Sequence, residues 1–191
     1  MEISLIILIS YLLGSIPFGF LLTKIILKKD IREIGSGNIG ATNVLRTGNK
    51  IIGYSTLILD ILKAVIPILF IKIQFPEFIF ISSLAVFLGH VFPIWLKFNG
   101  GKGVATYVGI LFCINYILGF FFIATWLVVF FISKYSSLSS LLASFIIPIY
   151  YFFIDAENYY FFIIMFILIF YTHRENIKRL KNNTESKTKI Y

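Results

Sequence analysis

The chain has 191 residues, 59% of them hydrophobic and 18% aromatic, with only 14% charged and a mean hydropathy of +0.92. That composition excludes an ordinary soluble domain. Seventeen Lys and Arg against nine Asp and Glu give a formal net charge of +8, and the single cysteine, Cys113, excludes an intrachain disulfide and a multi-cysteine metal site.

Charges and turn residues divide the chain in order. The first apolar segment spans Ile3–Leu27 and precedes KKDIREIGSGNIGATNVLRTGNK. It is expected to be retained, because it opens on Met1-Glu2 rather than a basic region and lacks a small-x-small cleavage site. The second, Ile51–Ile73, ends at the turn QFPE; the third, Phe78–Leu96, precedes KFNGGKG. Val104–Ser133 then runs for 30 residues without a charge and ends at KYSSLSS. Leu141–Ile154 and Asn158–Thr172 flank DAEN, and a basic tail begins at HREN.

As one helix, the 30-residue stretch would be ~45 Å long against a hydrocarbon core of ~30 Å. As two, it turns near Asn115. The excess of Lys and Arg on cytoplasmic loops arbitrates. Two crossings there make seven in all, with the N-terminus outside and the C-terminus in the cytoplasm. Lys24, Lys28, Lys29, Arg32, Arg46, Lys50, Lys97, Lys102, Lys134, Arg174, Lys178, Arg179, Lys181, Lys187 and Lys189 then share the cytoplasmic side, 15 of 17 basic residues. Lys72 falls near the outer face and Lys63 inside a membrane segment. A single crossing would put the basic tail outside. The expected fold is an all-α polytopic membrane protein, a seven-helix bundle with one domain over 1–182 and a polar cytoplasmic tail, 183–191, the one candidate for disorder.

In this topology every polar island is cytoplasmic: GSGNIGATNVLR (35–46), NGGKGVAT (99–106), YSSLSS (135–140) and HRENIKR (173–179). Such groups are tolerated at membrane depth where they face protein or a water-filled cavity. Glycines let successive backbone N–H groups turn toward one point and hold an anion. Ser, Thr and Asn add neutral donors; Arg46 grips a phosphate bidentately and Lys102 supplies a movable point charge. GGKGVAT opens an apolar segment and so offers helix N-terminal amides. It is not a nucleotide P-loop, since Leu96 holds the first glycine position and Gly103 the last.

Plainer readings exist for each island. A single glycine-rich loop is more often a tight connection. Basic residues at cytoplasmic ends serve as topology signals or headgroup contacts. Ser137, Ser139 and Ser140 serve equally as a helix cap or as small packing residues, and His90 as a core histidine. Four islands of one chemistry on one side favour a shared anion pocket. Asp60 and Lys63, in LDILKA, share a helix face at i, i+3. A charge at that depth costs on the order of 2.5–3.5 kcal/mol. A mutual structural pair and a cation at the cavity floor both remain open.

The islands resemble the PlsY family, the bacterial membrane glycerol-3-phosphate acyltransferases that use acyl phosphate. The resemblance runs through GSIPFG (14–19), DIREIGSGNIGATNVLR (30–46), LDILKAVIP (59–67), GHVFPIWLKFNGGKGVAT (89–106), SSLSS (136–140) and HRENIKRL (173–180). It implies seven membrane helices in the bacterial inner membrane and an active site facing the cytoplasm. It implies acyl transfer from acyl phosphate to the 1-hydroxyl of glycerol 3-phosphate, giving lysophosphatidic acid and phosphate. The matching positions are Ser36, Asn38, Thr42, Asn43 and Arg46; His90, Gly100, Gly101, Lys102 and Gly103; and the serine cluster with Ser139, then His173, Asn176 and Arg179. Ala64, Asn99 and Asn183 depart from the family pattern, Asn183 standing where a glycine usually precedes Thr184-Glu185. That departure leaves Glu185 without an assigned role.

Two phosphorylated substrates must meet in one pocket, and like charges repel in low dielectric. Arg46 and Lys102, with Lys63 or Arg179 and surrounding hydroxyls and amides, answer that need. An acyl phosphate has a good leaving group, so direct attack by the glycerol hydroxyl suffices. Lys102 then stabilises the oxyanion and departing phosphate. His173 or a substrate phosphate takes the proton, and Asn176 orients the substrate. No metal, cofactor or nucleic acid is expected. Membrane lipid is an expected partner, and other phospholipid-synthesis enzymes are candidate partners. Two further classes stay in view: a transporter or channel for phosphate esters, and a lipid-binding subunit without turnover.

Overall fold

The computed structural model describes residues 2–155 and 157–188, whose regular structure is entirely helical. Ala156 of the DAEN turn, and Lys189 of the basic tail, lie outside the described residues. Ten α-helices are assigned among them: α1 Glu2–Gly14, α2 Phe18–Ile26, α3 Ala41–Leu45, α4 Lys50–Gln74, α5 Ile79–Val91, α6 Val104–Ile114, α7 Tyr116–Ser133, α8 Ser136–Phe152, α9 Tyr159–Thr172 and α10 Arg174–Lys181. Ile3–Ile26, Pro76–Leu96 and Tyr116–Ser133 are long and apolar enough to cross a membrane; Val104–Ile114, Ser136–Phe152 and Tyr159–Thr172 are shorter apolar helices.

Local chemistry sets the boundaries. The first apolar segment is two helices rather than one, because Pro17 has no N–H to continue the ladder. Asn49 caps α4, its Oδ1 accepting from Ile52 N at 3.0 Å. The charge-free 30-residue stretch is indeed two helices. Asn115 sits between α6 and α7, its Oδ1 accepting from Ile117 N at 2.9 Å. The serine island ahead of Leu141 forms the first turns of α8. Ser139 and Ser140 donate to the carbonyls of Tyr135 and Ser136, so their hydroxyls are satisfied inside the helix.

The helices form two compact units, residues 1–114 and 115–191. In the first, α4 packs against α1, α2, α3, α5 and α6, and α1 lies along α5. Lipid tails are as apolar as leucine, so helix association depends on close packing and polar contacts. A Cβ on Gly14 would overlap the Val86 backbone, and one on Gly89 the Tyr11 backbone. Between them Ser10 Oγ and Ser82 Oγ hydrogen-bond at 2.9 Å. Lys72 is fastened too, donating to Cys113 O at 2.6 Å and so satisfying a carbonyl at the C-terminal end of α6.

In the second unit α8 packs against α7 and α9. Leu118, Phe122, Ala143, Ile147, Phe162 and Met165 are buried. Trp126 Nε1 donates to Ser140 Oγ at 3.1 Å, linking α7 to α8. The segment after α10 was expected to be loose. Instead Thr188 N donates to Lys134 O at 2.9 Å, and Glu185 is bonded to α8 and α10. The turn that brings it back passes through Asn183 at φ +55°, a left-handed conformation asparagine tolerates better than most residues.

Candidate functional site

In the first unit, two loops carry the sequence-predicted cations. GSGNIGATNVLR is organised around one buried side chain, Asn43. Its Nδ2 donates to Ile34 O and Asn38 O, both at 2.8 Å, and to Ile31 O at 3.2 Å. Its Oδ1 accepts from Ser36 N at 2.9 Å and from Arg46 Nη1 at 3.4 Å. The Asn43 amide is therefore committed to tying the loop and orienting Arg46. Asn38 Oδ1 likewise accepts from Gly40 N at 2.8 Å, closing an Asx turn. Ser36 is exposed, while Arg46 and Thr42 are half-buried. At the loop's entry the Arg32 guanidinium bonds the Asp30 carboxylate and holds it down at a pKa of about 2.

The second loop lies between α5 and α6. Gly100 N donates to Val91 O at 3.0 Å and Gly101 N to His90 O at 3.1 Å, so the loop closes the open end of α5. A Cβ on Gly101 would overlap the His90 imidazole. Gly103, at φ +84°, abuts the Phe87 ring. Lys102, half-buried, stands between them in the chain. Beneath, Lys63 Nζ lies 2.8 Å from Asp60 Oδ1 and donates to Ile16 O at 2.8 Å. Both side chains are 3% exposed. Asp60 and Lys63 thus are each other's partners, and they also fasten the break between α1 and α2. His90 is buried, with Nδ1 3.8 Å from Asp60 Oδ1.

In the second unit the residues of HRENIKR meet the serine island through Glu185. Glu185 Oε1 accepts from Asn176 Nδ2 at 2.6 Å and Ser137 Oγ at 2.7 Å; Oε2 accepts from Arg179 Nε at 2.6 Å. Burial pushes this carboxyl's pKa up, but the three donors outweigh it and hold the group below its usual range. Glu185, left without a role by the motif reading, and Ser137, read there as a cap or packing residue, are joined here to Asn176 and Arg179. A signal was present: Glu185 is the only acid after Glu175 in a strongly basic segment. Ser139, by contrast, gives its one proton to Tyr135 O at 2.8 Å.

His173 joins α9 to α10 and is buried. Its Nδ1 lies 2.8 Å from Ile169 O. A carbonyl only accepts, so Nδ1 carries the proton, and in the neutral ring Nε2 is the basic nitrogen.

Comparisons with known proteins identify the family. A family model described as glycerol-3-phosphate acyltransferase matches residues 4–183. The glycerol-3-phosphate acyltransferase of Pelagibacter ubique (strain HTCC1062) is 70% identical over 191 residues, covering all of both chains. That of Bartonella henselae is 51% identical over 190 residues, covering 96% of this chain and 90% of that one. Among solved structures, the integral membrane glycerol 3-phosphate acyltransferase PlsY superposes in its glycerol 3-phosphate form with a TM-score of 0.89. Identity is 37%, over 98% of this chain and 96% of that one. Its lysphosphatidic acid form gives a TM-score of 0.87 at 36% identity, over 98% and 95% of the two chains. With a family model over residues 4–183 and these relatives, the chain belongs to the PlsY family of integral membrane glycerol-3-phosphate acyltransferases.

Proposed function

We propose that the chain transfers a fatty acyl group from acyl phosphate to the 1-hydroxyl of sn-glycerol 3-phosphate, yielding lysophosphatidic acid and inorganic phosphate as the first acylation of bacterial phospholipid synthesis. The observation that carries the reading is the loop Gly100–Gly103, whose glycines are seated on the end of α5 and present Lys102. Arg46 on its asparagine-tied loop is the second phosphate cation. Ser36, Asn38 and Thr42 complete the phosphate-binding set of the first unit, with Asn43 positioning Arg46, and Arg179 is the candidate phosphate ligand of the second unit. In the step itself the glycerol oxygen attacks the acyl carbon and the bond from that carbon to the phosphate oxygen breaks. The hydroxyl proton passes to His173 or to a substrate phosphate, and inorganic phosphate departs as the leaving group.

Glycerolipid acyltransferases that use thioesters typically carry a histidine followed five positions later by an aspartate. Here position 95 is Trp and position 178 is Lys. A thioester would also place no phosphate against the cations. Purified protein is expected to form lysophosphatidic acid from acyl phosphate and glycerol 3-phosphate, with inorganic phosphate inhibitory and little product from acyl-CoA or acyl-carrier protein. Equal rates with acyl-CoA would reverse the donor assignment. No product from any donor, together with glycerol 3-phosphate uptake into liposomes, would favour a transporter.

The proposed setting is the bacterial inner membrane, crossed seven times by one domain over residues 1–182, with the N-terminus outside and the polar tail and active site on the cytoplasmic side. The break between α6 and α7 at Asn115 supports that count. In a Cys113→Ser background, single cysteines at Glu77 or Asp155 are expected to react with an impermeant thiol reagent on intact cells, and cysteines at Asn49 or Lys187 to stay unlabelled. External labelling at Lys187 would overturn this topology.

A further inference from the structure

The geometry points to Asp60, Lys63 and His90 as a buried positioning device that fixes the glycine loop carrying Lys102, an assignment that rests on the phosphate role proposed for Lys102. The end of α5 leaves carbonyls without intrahelical donors. Two of them, His90 O and Val91 O, take the amides of Gly101 and Gly100 at 3.1 and 3.0 Å. On the other side of the same residue, the imidazole fills the space a Cβ on Gly101 would need. His90 therefore grips the loop twice, by its carbonyl and by its ring.

The ring is in turn backed by α4. Its Nδ1 faces Asp60 Oδ1 at 3.8 Å, too far for a hydrogen bond, so the contact is one of packing and orientation. Asp60 Oδ1 is held by Lys63 Nζ at 2.8 Å, and Lys63 by Ile16 O at 2.8 Å. Just beyond the loop, Thr106 Oγ1 leans on the backbone carbonyl of Asp60 at 3.4 Å. Both ends of the segment 100–106 are thus referred to one stretch of α4.

Packing alone does not call for these groups. A buried ion pair is often replaced by well-packed apolar residues of similar volume without loss of stability. What it adds is a fixed reference for a loop whose glycines have little stiffness of their own. Lysine carries its charge on a flexible four-carbon stem, so a fixed Cα removes one of the two sources of freedom in the position of the charge. A displacement of about 1 Å at a reacting group costs on the order of 100-fold in rate.

The test compares His90→Ala, His90→Gln, Lys102→Ala and the double variant His90→Ala/Lys102→Ala, in full-length protein, by steady-state kinetics and amide hydrogen exchange. His90→Ala is expected to lower kcat/KM about 10- to 100-fold. Its Gly100 and Gly101 amides are expected to exchange at least about tenfold faster, with α1 protection unchanged. Glutamine, which restores a polar group of similar reach, should recover most of both. Adding His90→Ala to Lys102→Ala should cost nothing further. Wild-type kinetics in His90→Ala, unaltered loop exchange, or additive losses in the double variant would each overturn the positioning role. Should His90→Ala lose protection throughout, Gly101→Ala reads the same contact from the loop side. It is expected to show the same local kinetic loss, and wild-type turnover there overturns the proposal. The two readings fail separately. Full activity in Lys102→Ala removes the phosphate role, whereas fast loop exchange in His90→Ala still reports the anchor.

Discussion

Lys102→Ala and Arg46→Ala are each expected to reduce kcat/KM by roughly 30- to 5,000-fold while the protein still inserts and purifies. Truncating one partner of a desolvated, hydrogen-bonded charge pair costs about 2–5 kcal/mol, and each 1.36 kcal/mol is tenfold in rate. Neither side chain is part of the packed core. Lys102 and Arg46 are both half-buried on loops. Arg46 makes one long contact, 3.4 Å to Asn43 Oδ1, so the fold loses little when it is removed. The chemical loss should differ between them. Lys102 is a point charge, so Lys102→Arg should keep partial activity. Arg46 acts by a planar fork, so Arg46→Lys should recover little. Turnover near wild type in both alanine variants would remove the phosphate pocket from this chain.

Much of this arrangement is legible in the sequence because membrane helices announce themselves by length and composition, and loop glycines and cations by contrast with them. The break at Asn115 is readable because one helix of that length would overrun the bilayer, and an asparagine is on hand to cap the second. Other features depend on tertiary contacts. Nothing local distinguishes Asn43, whose amide is used inside its own loop, from Ser36, which is exposed. The serine island reads equally as a cap or as packing residues, and only the structure shows its hydroxyls bonding back to the preceding turn within the helix. Glu185 falls in a tail whose composition suggests disorder. Its order comes from three donors on α8 and α10, and sequence spacing alone does not bring Ser137 within reach of a carboxylate 48 residues away. Asp60 and Lys63 were legible as a pair from their i, i+3 spacing. Their fastening to Ile16 was not, since it requires the chain break at Pro17 to face α4.

His173→Ala is expected to lower kcat by 10²- to 10⁴-fold, the usual contribution of a positioned general base, while raising either KM far less. The tautomer argument underlies the prediction. Ile169 O fixes the proton on Nδ1 at 2.8 Å, so the neutral ring presents Nε2 as its acceptor. The ring is buried at the joint of α9 and α10. Asn176, three residues on, is held by Glu185 and so marks the first turn of α10 as rigid. His173→Gln keeps a polar group but cannot accept the proton as a base, so it should be nearly as slow as alanine. The competing mechanism predicts a different pattern. If a substrate phosphate takes the proton, the loss appears mainly in KM for glycerol 3-phosphate. Unchanged kinetics in His173→Ala would exclude the histidine from the reaction altogether.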